Sequence, residues 1–328
     1  MGSLAKLFGR VASLSLESES ANILKTGNAN KIPGSLSLAL DGTLRDGHNM
    51  TAFGLGTLAS MATRERYARF TESMYHVYAT MEQELDQTNN TPATMLVWKE
   101  HGDVLRRSEA LYDDLQDVMT SSEQLARLDL IRDHRRENNN NNNNRNDENS
   151  INTMKLIRSL PTRNYVTAIQ RAGARDRHKD ENGDGGSGGA SLLGHLYCRY
   201  FADLFGGQML GLPYNLALTL EKNTPRHYHF DFGTAVVGGS SGDTTAVTTT
   251  TTVVRDRRQY IETLYKDINT AGALLSPGQR DQILRETLKS FQHNVNVYTE
   301  EPIWNDSLFG AMNIGTGFCT KLLFNRSS

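Results

Sequence analysis

The sequence predicts an all-α fold, one domain of amphipathic helices around a shared core, and three observations predict it. Apolar residues recur at three- and four-residue steps through most of the chain. Strand-like alternation is confined to His227-Tyr-His-Phe-Asp-Phe232 and a later threonine run. A helix-start signature, Ser276-Pro-Gly-Gln279, joins a capping box to proline at the first helical position.

Taken in order, residues 1–34 read as a flexible tail or weak targeting segment, with Lys6 and Arg10 among serines and apolar residues. From Arg64 to Gln87, Tyr67, Phe70, Met74, Tyr78, Met81 and Leu85 form one stripe. Leu105, Leu111, Leu115, Val118, Leu125 and Leu128 repeat the pattern from Val104 to Leu130. Tyr165, Val166 and Ile169 mark a shorter helix expected to end at Gly173. Another begins at Ser191 and is expected to run to Gly211 and Pro213. Tyr260, Leu264, Tyr265 and Ile268 share a face, and Leu284, Leu288, Phe291, Val295 and Tyr298 are the stripe of the helix that follows. Residues 35–300 make the expected domain, and 301–328 an extension.

Three low-complexity stretches interrupt that domain: the asparagine-rich 137–150, the Asp/Gly/Ser-rich 179–191, and the Gly/Ser/Thr-rich 238–252. None holds enough apolar surface to offset the entropy of ordering, so each reads as a surface loop. The 328 residues carry 35 Lys+Arg against 37 Asp+Glu, a balance that argues against a general nucleic-acid binder. Two cysteines, Cys198 and Cys319, lie far apart without a CxxC pair, so the default is a reducing, intracellular setting with the cytoplasm first and a plastid or other organelle as the alternative. No apolar run approaches the roughly 20 residues of a membrane helix.

The helix from Ser191 contains Gly206 and Gly207 beside Asp203 and Gln208. An interior glycine costs about 1 kcal/mol relative to alanine. A pair either lets a flat ligand approach bare backbone or lets two helices pack closely, and the pattern alone leaves both open. The motif His195-x-Tyr197-x-Arg199-Tyr200-x-x-Asp203-Leu204-x-Gly206-Gly207-Gln208 resembles the distal-helix signature of the heme oxygenase family. Ser73-Met-Tyr-His-Val-Tyr78, Met81-Glu-Gln-Glu84, Val97 to Leu115, Arg163 to Gly173 and Tyr260 to Glu300 resemble further family segments in order. The resemblance implies a multi-helical bundle with heme sandwiched between proximal and distal helices.

It also implies roles. Ser37 to His48 resembles the proximal helix, with His48 in the position of the iron ligand. Neutral imidazole is a good donor to heme iron. Asp203 is the expected distal carboxylate, holding a water that supplies protons, and Gly206, with Gly207, the backbone that packs on heme. Arg45, Tyr197 and Lys266 are the expected partners of the propionates. Arg199 and Tyr200 are expected to hold the helix and its polar network. In this family heme is both cofactor and substrate, opened at the α-meso carbon to biliverdin, ferrous iron and carbon monoxide. Oxygen and external electrons, from an NADPH-dependent reductase or a ferredoxin, are needed.

Departures from the family pattern stand in the same helix. Ala202 replaces a usual glycine and Phe205 a usual serine, while Glu262 lies near a usual lysine. They point to the alternative, a weakly active or non-catalytic heme-binding sensor. A di-iron oxidase of similar fold would want Glu-x-x-His pairs, and none occurs. His227 and His229 are spaced for a metal but lack an evident third ligand.

Overall fold

A computed structural model describes residues 27–47, 49–88, 91, 94–140, 153–177, 190–220, 224–238, 250–254 and 256–324. His48 and most of the tail and inserts lie outside the described residues. The fold is all-α. Its only β-structure among the described residues is a two-stranded antiparallel ribbon, Thr234–Gly238 paired with Thr250–Val254, which takes in the last three threonines of the run.

Helix α1 spans Leu36–Gly47 and α2 Met50–Ser60, whose start is capped by the Asn49 side chain accepting from Ala52 N at 3.0 Å. Helix α3, Arg64–Gln87, is the central rod, and it buries Tyr67, Met74, Tyr78, Met81 and Leu85 as its stripe predicts. The run expected from Val104 to Leu130 is divided into α4 (Glu100–Leu105), α5 (Ser108–Val118) and α6 (Ser122–Asn140). The division has a physical reason. The Glu82 carboxylate of α3 accepts from the backbone N–H groups of Arg107 at 2.6 Å and Ser108 at 3.0 Å, capping α5 from another helix.

Helix α7, Leu160–Arg177, runs through Gly173 rather than ending there. A Cβ at Gly173 would lie 2.0 Å from Glu84 Oε2, so this glycine serves the close approach of α7 to α3. Helix α8, Ala190–Leu196, packs against α12, Pro277–Tyr298, which follows α11, Arg257–Ala273. The capping box at Ser276 is formed, with Gln279 N donating to Ser276 Oγ at 3.3 Å and Ser276 N to Gln279 Oε1 at 2.9 Å. The buried face of α12 is offset from the predicted stripe. Ile283, Thr287, Ser290, Phe291, Asn294 and Val297 are buried, while Leu288 is exposed. Close packing on α8 favours small and polar side chains there, and Ser290 Oγ is 2.5 Å from Tyr165 Oη. Helix α13, Trp304–Phe324, packs on α2 and on α10, Gly211–Leu218.

Two buried carboxylates tie the helices through charge. Glu72 of α3 accepts from Arg127 Nη2 of α6 at 2.5 Å and from its Nε at 2.9 Å. Glu286 of α12 meets Arg175 at 3.0 Å, Lys289 at 2.9 Å and His195 at 3.3 Å. Burial opposes ionisation at both. For Glu72, His76 and Arg127 outweigh it and lower the pKa to about 2. For Glu286, His195, Lys289 and Arg175 do the same, again to about 2. Both folded-state values lie below the ordinary carboxylate range. The stability these groups carry is therefore complete above about pH 4.5 and is lost as pH falls through about 2. Urea midpoints followed by circular dichroism at pH 7, 6 and 3 are expected to hold between the first two and drop at the third.

Candidate functional site

The distal motif does not form the continuous helix expected from Ser191 to Gly211. After α8 the chain enters a π-helical turn, Tyr197–Phe201, then a single turn α9, Ala202–Phe205, and a 3-10 turn, Gly207–Met209. A π turn admits one extra residue and rotates the side chains that follow. The α-helical stretch ends at Gly206, so the glycines terminate the helix instead of interrupting it. A Cβ at Gly207 would lie 2.8 Å from Tyr228 Cδ1, so this glycine admits the ring of Tyr228. That ring is positioned by the segment His227-Tyr-His229, which is tied down at both ends. Asp114 of α5 pairs with His227 Nδ1 at 2.7 Å, and buried Arg107 donates to His229 O at 2.7 Å.

Asp203 is buried, with one oxygen accepting from the Tyr78 hydroxyl and the other 3.7 Å from Arg199 Nη2. Arg199 Nη2 donates to Tyr78 Oη at 2.9 Å, and Nη1 to Asn294 Oδ1 at 3.1 Å. Asn294 Nδ2 in turn donates to Cys198 Sγ at 3.1 Å. Burial pushes the Tyr78 hydroxyl well above the ordinary tyrosine range, and Arg199 only partly offsets this. Tyr78 therefore stays protonated and donates to Asp203. The network is closed except at Arg199 Nε, a buried donor with no hydrogen-bond acceptor.

This network faces a cavity enclosing about 70 Å³, between α1 and α2 on one side and the distal segment and α12 on the other. Leu44, Phe53 and Thr57 form the first wall; Ala202, Asp203 and Gly206 belong to the second. Tyr298 of α12 closes one side, its ring edge-to-face with Phe53 at 5.0 Å between centroids. Phe205 lines the cavity and packs on Phe201 at 5.5 Å, so its ring serves the pocket wall and the core together.

The structure thus gathers Asp203, Gly206 and Gly207 of the expected residues around one cavity. Tyr197 and Lys266 are not among the residues lining it. Tyr197 is fully buried and its hydroxyl donates to Asp41 Oδ1 at 2.5 Å. Lys266 is exposed on α11 and is not among the residues lining the cavity. Arg45 falls in α1, one turn after Asp41. His48 falls outside the described residues, between Gly47 and the α2 cap Asn49.

Tyr78, Asn294, Tyr298, Phe53 and Asp41 were missed by sequence reasoning. The signal for Asn294 was present, a polar residue three positions after Phe291 in an amphipathic helix. Tyr78 and Tyr298 were counted as apolar stripe, which hid their hydroxyls. Neither His227 nor His229 belongs to a metal-ligand group of three among the described residues. No helix among them is long and apolar enough to cross a membrane.

The heme oxygenase family model matches residues 46–150, which take in α2 to α6 and the asparagine-rich stretch but not the distal segment. Solved structures extend the likeness across the fold. Heme oxygenase 2 from Chlamydomonas reinhardtii, solved without heme, is 16% identical with a TM-score of 0.55, over 82% of this chain and 98% of its own. The heme oxygenase of Leptospira interrogans is 21% identical with a TM-score of 0.52, over 81% of this chain and 100% of its own. Heme oxygenase-2 from Synechocystis, solved with heme and NO, is 18% identical with a TM-score of 0.54, over 85% and 88%. No curated protein matches the chain. At these identities the structures show a shared fold.

Proposed function

From a heme oxygenase fold and a family match over residues 46–150, we propose that this protein is a heme oxygenase that opens heme at the α-meso carbon to biliverdin, ferrous iron and carbon monoxide. The observation that carries the reading is Asp203, buried at the wall of a cavity and held by Tyr78 and Arg199. A solvated surface carboxylate would need none of this support.

The residues present fit heme in chemistry. Arg199 Nε is a buried donor that still wants an acceptor, and Gly206, with no side chain, presents bare backbone at the cavity wall. His48 would ligate the iron. When bound, heme would supply the iron that activates oxygen and the ring that is opened. Fit in size requires movement. Pockets that bury drug-sized ligands run roughly 300–1,000 Å³, against about 70 Å³ here. Admission therefore requires the cavity to widen.

The work of this chain's residues is then positioning and proton supply. Asp203 accepts and returns a proton through water at the cavity wall. Tyr78 and Arg199 fix its carboxylate, and Asn294 fixes Arg199 from the opposite helix. External electrons come from an NADPH-dependent reductase or a ferredoxin. A second reading, a heme-binding sensor, draws on two observations: Ala202 puts a methyl in the cavity wall, and Asp203 already accepts from Tyr78.

The test is a spectrum. Titration with hemin is expected to give a Soret band, lost or shifted in His48→Ala, and reductant under oxygen is expected to replace it with biliverdin absorption. A persistent Soret band with no bile pigment selects the sensor. No hemin complex at all rejects both.

A further inference from the structure

Helix α13 is built inside out. Its packed face carries small and polar residues. Gly310 and Gly317 lie so close to Leu58 O of α2 and Leu216 O of α10 that a Cβ at either would collide. Between them Asn313 Nδ2 donates to Met61 O at 3.1 Å and to Ala62 O at 2.9 Å. The large apolar side chains are left outside: Trp304 is 47% exposed, Phe309 55%, Met312 56% and Phe318 55%. A surface helix of a monomer turns such residues inward.

The outward face follows a heptad. Asn305, Met312 and Cys319 recur at seven-residue spacing, and Leu308 and Gly315 stand three positions after the first two. By helical periodicity this row lies opposite Gly310 and Gly317. Space over Gly315 is open, since a Cβ there would meet no atom within 4 Å. No Asp, Glu, Lys or Arg occurs between Asp306 and Lys321, and Asp306 pairs inward with Arg66. A second α13 laid on this face therefore meets no like charge. In antiparallel register Met312 falls over Gly315 of the second copy, a knob above a hole, and symmetry repeats the contact. The same register sets Leu308 against Cys319.

The four half-exposed side chains, at about 150–250 Å² for a large aromatic, hold roughly 400 Å² per copy. The smallest specific interfaces bury about 600 Å² per partner, and the smaller residues of the row add to the four. This is the scale of a modest, concentration-dependent pair. A lipid surface fits less well. Helices that lie on lipid carry basic residues along their polar face, whereas Lys321 is the single basic residue of α13. Asn305 within the row is a poor lipid contact, but a lone polar residue at this heptad position sets register in paired helices.

We propose that the outward face of α13 is a self-association surface that pairs two copies of this chain antiparallel about a two-fold axis. It is independent of the heme reading.

Sedimentation velocity on the full chain across micromolar concentrations tests this, beside Met312→Glu, Gly315→Leu and Leu274→Glu. The first places a charge in the contact and the second fills the hole while raising helix propensity. Leu274, 62% exposed after α11, is the control. The wild type is expected to show a monomer–dimer equilibrium. Met312→Glu and Gly315→Leu are each expected to weaken it at least tenfold, Leu274→Glu less than twofold, with circular dichroism melts checking that each variant folds. Register is read by oxidation. Leu308→Cys is expected to give a cross-linked dimer through the exposed Cys319, and Leu308→Cys/Cys319→Ser none. Eleven residues apart on one helix, about 16 Å, the two thiols cannot join within one copy. A wild type that stays monomeric at every concentration overturns the proposal, and so does one that floats with phosphatidylcholine vesicles as a monomer. Association unchanged by Met312→Glu does the same, and cross-linking of the unmodified chain through Cys319 overturns the antiparallel register.

Discussion

Replacing Asp203 by asparagine is expected to lower biliverdin formation between one hundred and ten thousand fold while hemin affinity holds within threefold. A positioned proton-transfer group contributes about 10²–10⁴ in rate. Asparagine keeps the shape and can accept from Tyr78, but it cannot take up a proton near neutral pH. Arg199 would keep Tyr78 and Asn294 as partners, so the buried network survives. The measurement is single-turnover conversion of the hemin complex with reductant under oxygen, beside a Soret titration. Equal rates in variant and wild type would remove Asp203 from the chemistry and leave it a structural link between α3 and the distal segment. A parallel loss of hemin binding would mean that the charge holds the pocket's shape.

Arg127→Met is expected to destabilise the fold by about 3–5 kcal/mol, the cost of leaving a buried charge unpaired. Both members of this pair are buried, and Arg127 also donates to Leu156 O. The variant strands the Glu72 carboxylate between α3 and α6 with His76 as its remaining near neighbour, 3.8 Å away. Urea unfolding followed at 222 nm gives the value. Adding Glu72→Leu is expected to restore most of the loss, because removing both charges from a buried pair is often close to neutral. A single variant as stable as the wild type would show that water reaches Glu72.

How far the sequence could be read depended on where each residue's partner lay. The stripe of α3 was legible because its periodicity is local and its face is buried as the spacing requires. The boundaries of α5 were not, because Glu82, 25 residues earlier, caps its start. The glycine pair marked a real discontinuity, but both open readings of it described a longer helix than the one that forms. The π turn at Tyr197–Phe201 has no compositional signature, and it decides how the following residues face. The same distance limits the site. Asp203 was legible in its motif, whereas Tyr78 lies 125 residues before it and Asn294 lies 95 after Arg199. The contact of the Tyr197 hydroxyl with Asp41, 156 residues earlier, is likewise one that spacing does not foretell.

Of the departures from the resembled pattern, Ala202 and Phe205 both line the cavity. Phe205 is shared with the core through Phe201 and Tyr265, so its bulk is accommodated by packing. Ala202 has no such outlet. Its methyl stands in the cavity lining one residue from Asp203.

The most direct measurement is the absorption spectrum of the chain titrated with hemin and then reduced under oxygen. The proposed function predicts a one-to-one Soret complex that His48→Ala loses or shifts, followed by decay of that band into biliverdin absorption. A chain that gives no hemin complex, or holds heme unchanged through reduction under oxygen, contradicts it.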